Sequence, residues 1–130
     1  MPIQYTVDPA KRLVISRDTP PLTPPEIKQF FCELSADPRF QSTFNQLHHM
    51  QVGAIIALRY GDLASVKGFD PFAKTSLRAI VVRTKADFGM VRMYELLRGG
   101  NIRVFESERE AREFLSLSPE DDPPSSAKTH

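Results

Sequence analysis

The chain has 130 residues, of which 41% are hydrophobic and 25% are charged, a composition typical of an ordinary globular domain. Lysine and arginine total 17 against 16 aspartate and glutamate, so the net charge of +1 gives no electrostatic reason to expect nucleic acid as a partner. The longest apolar-rich stretch, residues 52–58, is far shorter than the roughly 20 residues that span a bilayer. The chain opens without a basic and apolar leader, and its one cysteine cannot form an internal disulfide. We therefore expect a cytoplasmic protein without a membrane span.

The first two predicted elements form a hairpin. Apolar and polar side chains alternate over residues 3–7 and again over residues 12–16, which predicts two strands, each with one buried face. Between them Asp8 and Pro9 favour a turn, because proline fixes φ and aspartate can accept a hydrogen bond from its local backbone. The sequence therefore predicts an antiparallel pair of strands, with Ser16 on the polar face of the second.

A capping signal opens the first predicted helix. Thr23 and Glu26 have the spacing of a capping box, and the prolines between them are tolerated in a first helical turn. Cys32 lies beside the apolar stripe of this helix, and we interpret it as a structural thiol because no motif around it favours a nucleophile. The stripe has helical spacing, and Asp37 with Pro38 ends it; its members are Ile27, Phe30, Phe31 and Leu34.

The middle of the chain is predicted to hold a third strand over residues 46–50 and a short second helix over residues 58–67. Residues 52–58 are too apolar for an ordinary loop, so we expect them to be buried. Residues 78–83 contain a continuous apolar run, which is typical of a central strand of a parallel sheet with both faces buried.

The last predicted elements are a helix, a strand and a second helix. Residues 86–98 place Met90, Met93, Tyr94 and Leu97 on one helical stripe, and Gly99 with Gly100 provides a stop. Residues 101–105 are predicted to be the last strand. A second capping box begins at Ser107, and the helix that it opens carries one apolar face made of Ala111, Phe114 and Leu115.

These elements give the order ββαβαβαβα. Strands that alternate with helices after an opening hairpin predict an α/β fold with a mixed, mostly parallel sheet of about five strands packed by four helices. Residues 118–130 hold no apolar side chain larger than alanine, so burial cannot offset the entropy lost on ordering them. We therefore predict a single domain over residues 1–117 and a disordered tail over residues 118–130.

Several short segments, together with this order of elements, resemble one known family. The segments are Asp8-Pro9 in the hairpin, residues 36–40 (Ala-Asp-Pro-Arg-Phe), residues 70–72 (Asp-Pro-Phe), the strand at residues 78–82, and residues 88–94 of the third helix. Over about residues 3–117 the chain resembles the STAS-like family, whose domains are related to anti-sigma-factor antagonists and to the cytoplasmic domains of sulfate transporters. It is most similar to a bacterial branch of small stand-alone proteins.

The resemblance implies a non-catalytic regulatory module that binds another protein, for instance an anti-sigma-type regulator. Phosphorylated members of the family carry a serine or threonine between the third strand and the second helix. The corresponding place here is residues 57–59, Ala-Leu-Arg, which has no hydroxyl group. The nearest candidates are Tyr60 and Ser65, and Ser65 would lie inside the helix. We therefore expect this chain to lack the phosphoserine switch.

Binding sites of open α/β sheets gather at the carboxyl ends of the parallel strands. We therefore predict a partner-binding surface around the start of the second helix and the loop after the fourth strand, made of Arg59, Tyr60, Asp62, Ser65, Thr84, Lys85 and Asp87. A homodimer is a further option for the partner. The alternative function is a carrier for a small apolar ligand or a lipid, held beneath residues 52–58.

Other residue patterns suggest chemistry and are better explained without it. His48 and His49 are adjacent in a strand, so they point to opposite faces and cannot easily bind one metal ion. Glutamates alternate with arginines over residues 108–113, which we interpret as a solvated helix face. The serines lie in no nucleophile motif. We therefore predict no catalytic, cofactor-binding or metal-binding residues, and a protein that is not an enzyme.

Overall fold

A computed structural model describes residues 3–19, 22–51 and 59–117, which form a five-stranded sheet with helices on both faces. The strands are β1 (Ile3–Asp8), β2 (Leu13–Asp18), β3 (Asn45–His49), β4 (Leu77–Val81) and β5 (Asn101–Phe105). The helices are α1 (Pro24–Ala36), α2 (Tyr60–Val66), α3 (Lys85–Arg98) and α4 (Glu108–Phe114), with a 3-10 helix (Lys67–Phe69) after α2. The predicted α/β class, the mostly parallel sheet and the number of helices are confirmed.

The strands lie in the sheet in the same order as in the chain. β1 and β2 are antiparallel, and every later neighbour pair from β2 to β5 is parallel. Successive right-handed crossovers in one direction place their helices on one face of the sheet, and α1, α2 and α3 pack there. α4 follows the last strand and packs against β4 and β5 from the opposite face.

The sheet therefore has an apolar core on each face. The larger core lies under α1, α2 and α3, and the smaller one joins Leu13, Leu47 and Ala79 to α4. Strand β2 lies between neighbours and is covered on both sides, so the prediction that it has one buried face is wrong. Ser16 and Asp18, on the face towards α1, are 0% exposed.

Local signals in the sequence set most element ends as predicted. The Lys11 amide donates to Asp8 Oδ1 at 3.2 Å in the hairpin turn, and the Thr23 amide donates to Glu26 Oε1 at 3.0 Å at the start of α1. Gly100 has φ of 88°, and a Cβ atom there would lie 3.1 Å from a backbone oxygen of Lys74. The stop after α3 thus needs glycine for its backbone angle and for space.

Other predictions needed correction. Met93 is 37% exposed, and Val91 takes its place in the core, because the buried face of α3 follows residues 87, 91 and 94. Cys32 is exposed on α1, so it is not a packed thiol. Strand β3 begins one residue earlier than predicted, and α2 spans Tyr60–Val66 within the predicted range. The predicted burial of residues 52–58 and the predicted tail lie outside the described residues.

Phe30→Ala and Phe31→Ala are each expected to lower the free energy of unfolding by about 3–5 kcal/mol, because both rings are buried in the larger core. Denaturant unfolding followed by circular dichroism measures the change. Met93→Ala, at an exposed position of α3, is the control and should stay within about 0.5 kcal/mol of the unchanged chain. Unchanged midpoints for both phenylalanine variants would contradict the packing of α1.

Candidate functional site

Buried polar side chains lie on the sheet face beneath α1, α2 and α3. His48 of β3 bridges two residues of β2, with its Nε2 2.8 Å from Asp18 Oδ2 and its Nδ1 2.7 Å from Ser16 Oγ. The second oxygen of Asp18 accepts a hydrogen bond from the Gln51 amide at 2.9 Å. His48 is only 7% exposed, so these bonds form away from bulk water.

Two further residues extend this arrangement along the sheet. Gln46 Nε2 donates to Ser16 Oγ at 3.1 Å, and Gln46 Oε1 accepts from Arg78 Nε at 3.1 Å. When Asp18 is a carboxylate, every one of these hydrogen bonds is satisfied if each residue donates to the next, in the order Arg78, Gln46, Ser16, His48 and Asp18. That direction places the hydrogen of His48 on Nε2 and makes Nδ1 the acceptor of the Ser16 hydroxyl. We call these residues the polar chain: Arg78, Gln46, Ser16, His48 and Asp18.

Arg78 also belongs to a second buried cluster, centred on Asp70. Asp70 Oδ2 lies 2.6 Å from Arg78 Nη1, 2.7 Å from the Tyr94 hydroxyl and 3.4 Å from Arg98 Nε. Its other oxygen accepts from the Phe72 amide at 3.1 Å. Burial, followed by the Asp70 carboxylate, raises the pKa of Tyr94, which therefore remains a hydrogen-bond donor. We call Asp70, Arg78, Tyr94 and Arg98 the Asp70 cluster.

Strand register brings the polar chain together. Ser16 lies opposite His48, and Gln46 lies opposite Arg78, on neighbouring parallel strands. Because side chains two residues apart share a face, Ser16 and Asp18 point to the same side of β2. The sequence suggests a metal ligand at His48 and a nucleophile at Ser16, each without a supporting motif, and gives no link from either residue to Gln46, Asp18 or Arg78. The sequence does contain polar side chains two residues apart in β2 and in β3. They predict a hydrogen-bonded group only once these two strands are known to be neighbours in the sheet.

A cavity of about 90 Å³ lies between this sheet face and the three helices. We call it the central cavity; its wall is mostly apolar and it is partly open. Gln46, His48, Arg78 and Tyr94 supply the polar part of the wall. Each helix contributes apolar residues: Phe30 and Phe31 from α1, Leu63 and Val66 from α2, and Met90 and Val91 from α3.

Ser16, His48 and Asp18 have the hydrogen-bond order of a Ser-His-Asp nucleophile. In such sites the serine oxygen has to reach a substrate carbonyl. Ser16 is 0% exposed, lies outside the cavity wall and already accepts a hydrogen bond from Gln46. The three residues therefore fit a structural role.

Helix α2 and the residue before it carry the first half of the predicted partner-binding surface. Arg59 and Ser65 are exposed, and Asp62 accepts a hydrogen bond from the Arg59 amide at 2.9 Å. The Ser65 hydroxyl donates to the carbonyl of Asp62 at 3.0 Å, so Ser65 lies inside the helix as predicted. The side chain of Tyr60 lies outside what the structure describes.

The start of α3 carries the second half. Thr84 caps the helix by accepting from the Asp87 amide at 3.1 Å, and the Lys85 side chain is 93% exposed. Asp87 is 2% exposed, so the prediction that it contributes to an accessible surface is wrong. It shares the buried face of α3 with Val91. Burial raises the pKa of Asp87, a hydrogen bond with Thr84 opposes this, and the Asp18 carboxylate adds to the rise.

His49 lies on the opposite sheet face from His48, as predicted. Its Nε2 lies 2.6 Å from Glu108 Oε1, and Glu108 Oε2 lies 2.6 Å from Arg112 Nε. The hydrogen bond with His49 is the main cause that lowers the pKa of Glu108. Arg112 is 7% exposed, so the predicted solvated face of α4 is partly wrong: the packing of α4 on the sheet buries this end of it.

Among the described residues, no group of three or more histidine, cysteine, aspartate or glutamate side chains could hold a metal ion. No helix in the same part of the chain is long and apolar enough to cross a membrane. Comparison with known proteins finds no family model, no curated protein and no solved structure that matches the chain. The STAS-like resemblance therefore rests on the sequence segments that suggested it.

Tyr94→Phe is expected to lower the free energy of unfolding by about 1.5–3 kcal/mol at neutral pH, because it removes a buried hydrogen bond to a carboxylate. Tyrosine ionises near pH 10 when unfolded, and the raised pKa of Tyr94 keeps it neutral in the fold. Its stabilising contribution is therefore complete below about pH 10 and is lost as the pH rises further.

Denaturant unfolding at neutral and alkaline pH tests both the loss of stability and its pH dependence. As the pH rises from neutral to alkaline, Tyr94→Phe should lose less stability than the unchanged chain. Tyr5→Phe is the control. The Tyr5 hydroxyl donates to Asp37 at 3.1 Å, and because Asp37 is more exposed than Asp70, this substitution should lower the free energy of unfolding by less. Equal pH dependence of Tyr94→Phe and the unchanged chain would contradict the assigned role of Tyr94.

Proposed function

We propose that the chain is a non-catalytic binding module whose ligand is a small, mostly apolar molecule in the central cavity. The observation that carries this proposal is the cavity itself, about 90 Å³ with a mostly apolar wall. Protein interiors are close-packed, so a concave space of this size between a sheet and its helices is a distinctive feature of the fold. A mostly apolar concave wall with a few polar groups is typical of small-molecule sites, which supports the proposal.

The size and the wall of the cavity limit the ligand. Its volume is about 90 Å³ and it is partly open, so it can hold a small molecule or one end of a longer one. Gln46, His48 and Tyr94 form their hydrogen bonds within the protein. Because these polar groups are already paired, the wall favours an apolar guest over one with many donors.

Hexan-1-ol is a suitable neutral probe, and we expect saturable binding to the full chain. Methyl NMR spectra should show shifts at Met50 and Met90, which line the cavity, and smaller shifts at the exposed Met93. Val91→Phe and Ile27→Phe place a larger side chain in the cavity wall, and each is expected to weaken binding. The matched control, Met93→Phe, should leave it unchanged.

The outcomes separate clearly. Saturable shifts that the two filling variants weaken would support the cavity as a ligand site. No saturable shift with the unchanged chain, or undiminished binding to both folded filling variants, would overturn the proposal. Thermal melts of each variant show whether it is folded, and ligand binding should raise the melting temperature of the unchanged chain.

A second candidate function is the regulatory, protein-binding module that the STAS-like resemblance implies. The specific observation in its favour is that Arg59 and Lys85 are exposed at the starts of α2 and α3, and that Ser65 is exposed on α2. Each of these helices follows the carboxyl end of a parallel strand, where binding sites of open sheets gather.

Arg59→Glu is expected to weaken capture of a protein partner with little effect on stability, because Arg59 is exposed and its amide contact to Asp62 does not need the side chain. Affinity purification with the unchanged chain and the variant as baits, followed by mass spectrometry, compares the proteins captured. Lys11→Glu, in the exposed hairpin turn on another part of the surface, is the matched control. Recovery of every partner by Arg59→Glu would remove this surface from consideration.

A further inference from the structure

We propose that the ligand of the central cavity is an apolar anion, a monocarboxylate with a short hydrocarbon chain, and that Arg78 binds its carboxylate. This inference rests on the proposed function and adds the chemistry of the ligand's head group. Arg78 is the one charged side chain among the described residues of the cavity wall.

The guanidinium of Arg78 is fixed on three sides. Its Nε donates to Gln46 and its Nη1 to Asp70, while its central carbon lies 4.3 Å from the centre of the Phe72 ring. The other terminal nitrogen, Nη2, takes part in none of the hydrogen bonds found among the described residues. The planar group is thus held in one orientation, with donors left for a carboxylate oxygen.

The charges around Arg78 also favour an anion. Arg78 and Arg98 both interact with the single carboxylate of Asp70, at 2.6 and 3.4 Å. Tyr94 is the third partner of that oxygen and is neutral, because burial raises its pKa. Asp70 is thus shared by two arginines. The other buried carboxylate, Asp18, lies at the far end of the polar chain, with Gln46, Ser16 and His48 between it and Arg78. A carboxylate in the cavity would give Arg78 a direct ionic partner in addition to the shared Asp70.

The acidic residues at the carboxyl ends of the strands offer a weaker site for a cation. Asp18 already accepts hydrogen bonds from His48 and from the Gln51 amide. Asp87 Oδ2 is buried with no hydrogen-bond partner among the described residues, but Asp87 is not among the described residues of the cavity wall. Arg78 is the charged side chain that the described wall offers to a ligand, and tighter binding of an amine than of a carboxylate would be the opposite result.

Three probes of equal chain length test the inference on the unchanged full chain: hexanoate, hexan-1-ol and hexylamine. Each is titrated under the same buffer and salt conditions and followed by methyl NMR. We expect hexanoate to bind at least about tenfold more tightly than hexan-1-ol, because a charge-assisted hydrogen bond is stronger than a neutral one. Hexylamine is expected to bind more weakly than the alcohol.

The variant Arg78→Met tests whether the preference comes from this side chain. It should remove the difference between hexanoate and hexan-1-ol while the alcohol still binds. Arg98→Met is the matched control, because Arg98 also contacts Asp70 but does not line the cavity, and it should keep the preference. If Arg78→Met does not fold, the probe series on the unchanged chain still tests whether the ligand is an anion.

The results distinguish this inference from the function on which it rests. If hexan-1-ol binds and hexanoate binds no better, or if hexylamine binds best, the proposal of an anionic ligand is refuted. The proposal that the cavity binds an apolar molecule is then still supported. If none of the probes binds, both proposals fail. A preference for hexanoate that persists in folded Arg78→Met would show that another group provides it, and would overturn the role of Arg78.

Discussion

The carboxylate of Asp70 holds together parts of the fold that are far apart in the sequence. It follows the 3-10 helix, and its partners come from β4 through Arg78 and from α3 through Tyr94 and Arg98. A fully buried carboxylate is costly unless it is paired and hydrogen-bonded. The fold can therefore bury Asp70 only when β4 and α3 are correctly placed, and both of them form walls of the central cavity.

Through Arg78, this cluster continues into the polar chain that crosses β4, β3 and β2. Strands β2 and β3 are buried on both faces, so alternation of apolar and polar residues fixes their register less strongly than in a half-exposed sheet. A slip by one residue would turn Gln46 and His48 away from Arg78 and Ser16, and would leave several buried polar groups without partners. The polar chain thus specifies the register where the apolar pattern is weak.

The parts of the fold that local chemistry determines could be predicted from the sequence. Capping residues, turn residues and apolar patterns predicted α1, α3, α4 and most of the strands, because each signal acts within a few neighbouring residues. β3 and α2 were predicted near their observed positions without such a signal, and the 3-10 helix was not predicted. The site could not be predicted in this way. Asp18 and Asp70 look like ordinary surface or turn residues in the sequence, and their partners lie on other elements. Met93 has helical spacing with Met90, Tyr94 and Leu97, and only the packing angle of α3 shows that Val91 is buried in its place.

A reversible binding site has to be stable when it is empty. Gln46, Ser16 and His48 of the polar chain are hydrogen-bonded to protein partners, so removal of an apolar ligand leaves their hydrogen bonds intact. Arg78 differs, because its Nη2 has no acceptor among the described residues while its other contacts hold it in place. The wall of the cavity therefore combines two kinds of polar group. Gln46 and His48 are hydrogen-bonded without a ligand, and the cation Arg78 can bind an anionic ligand. This arrangement suits a module that takes up and releases a small molecule without unfolding.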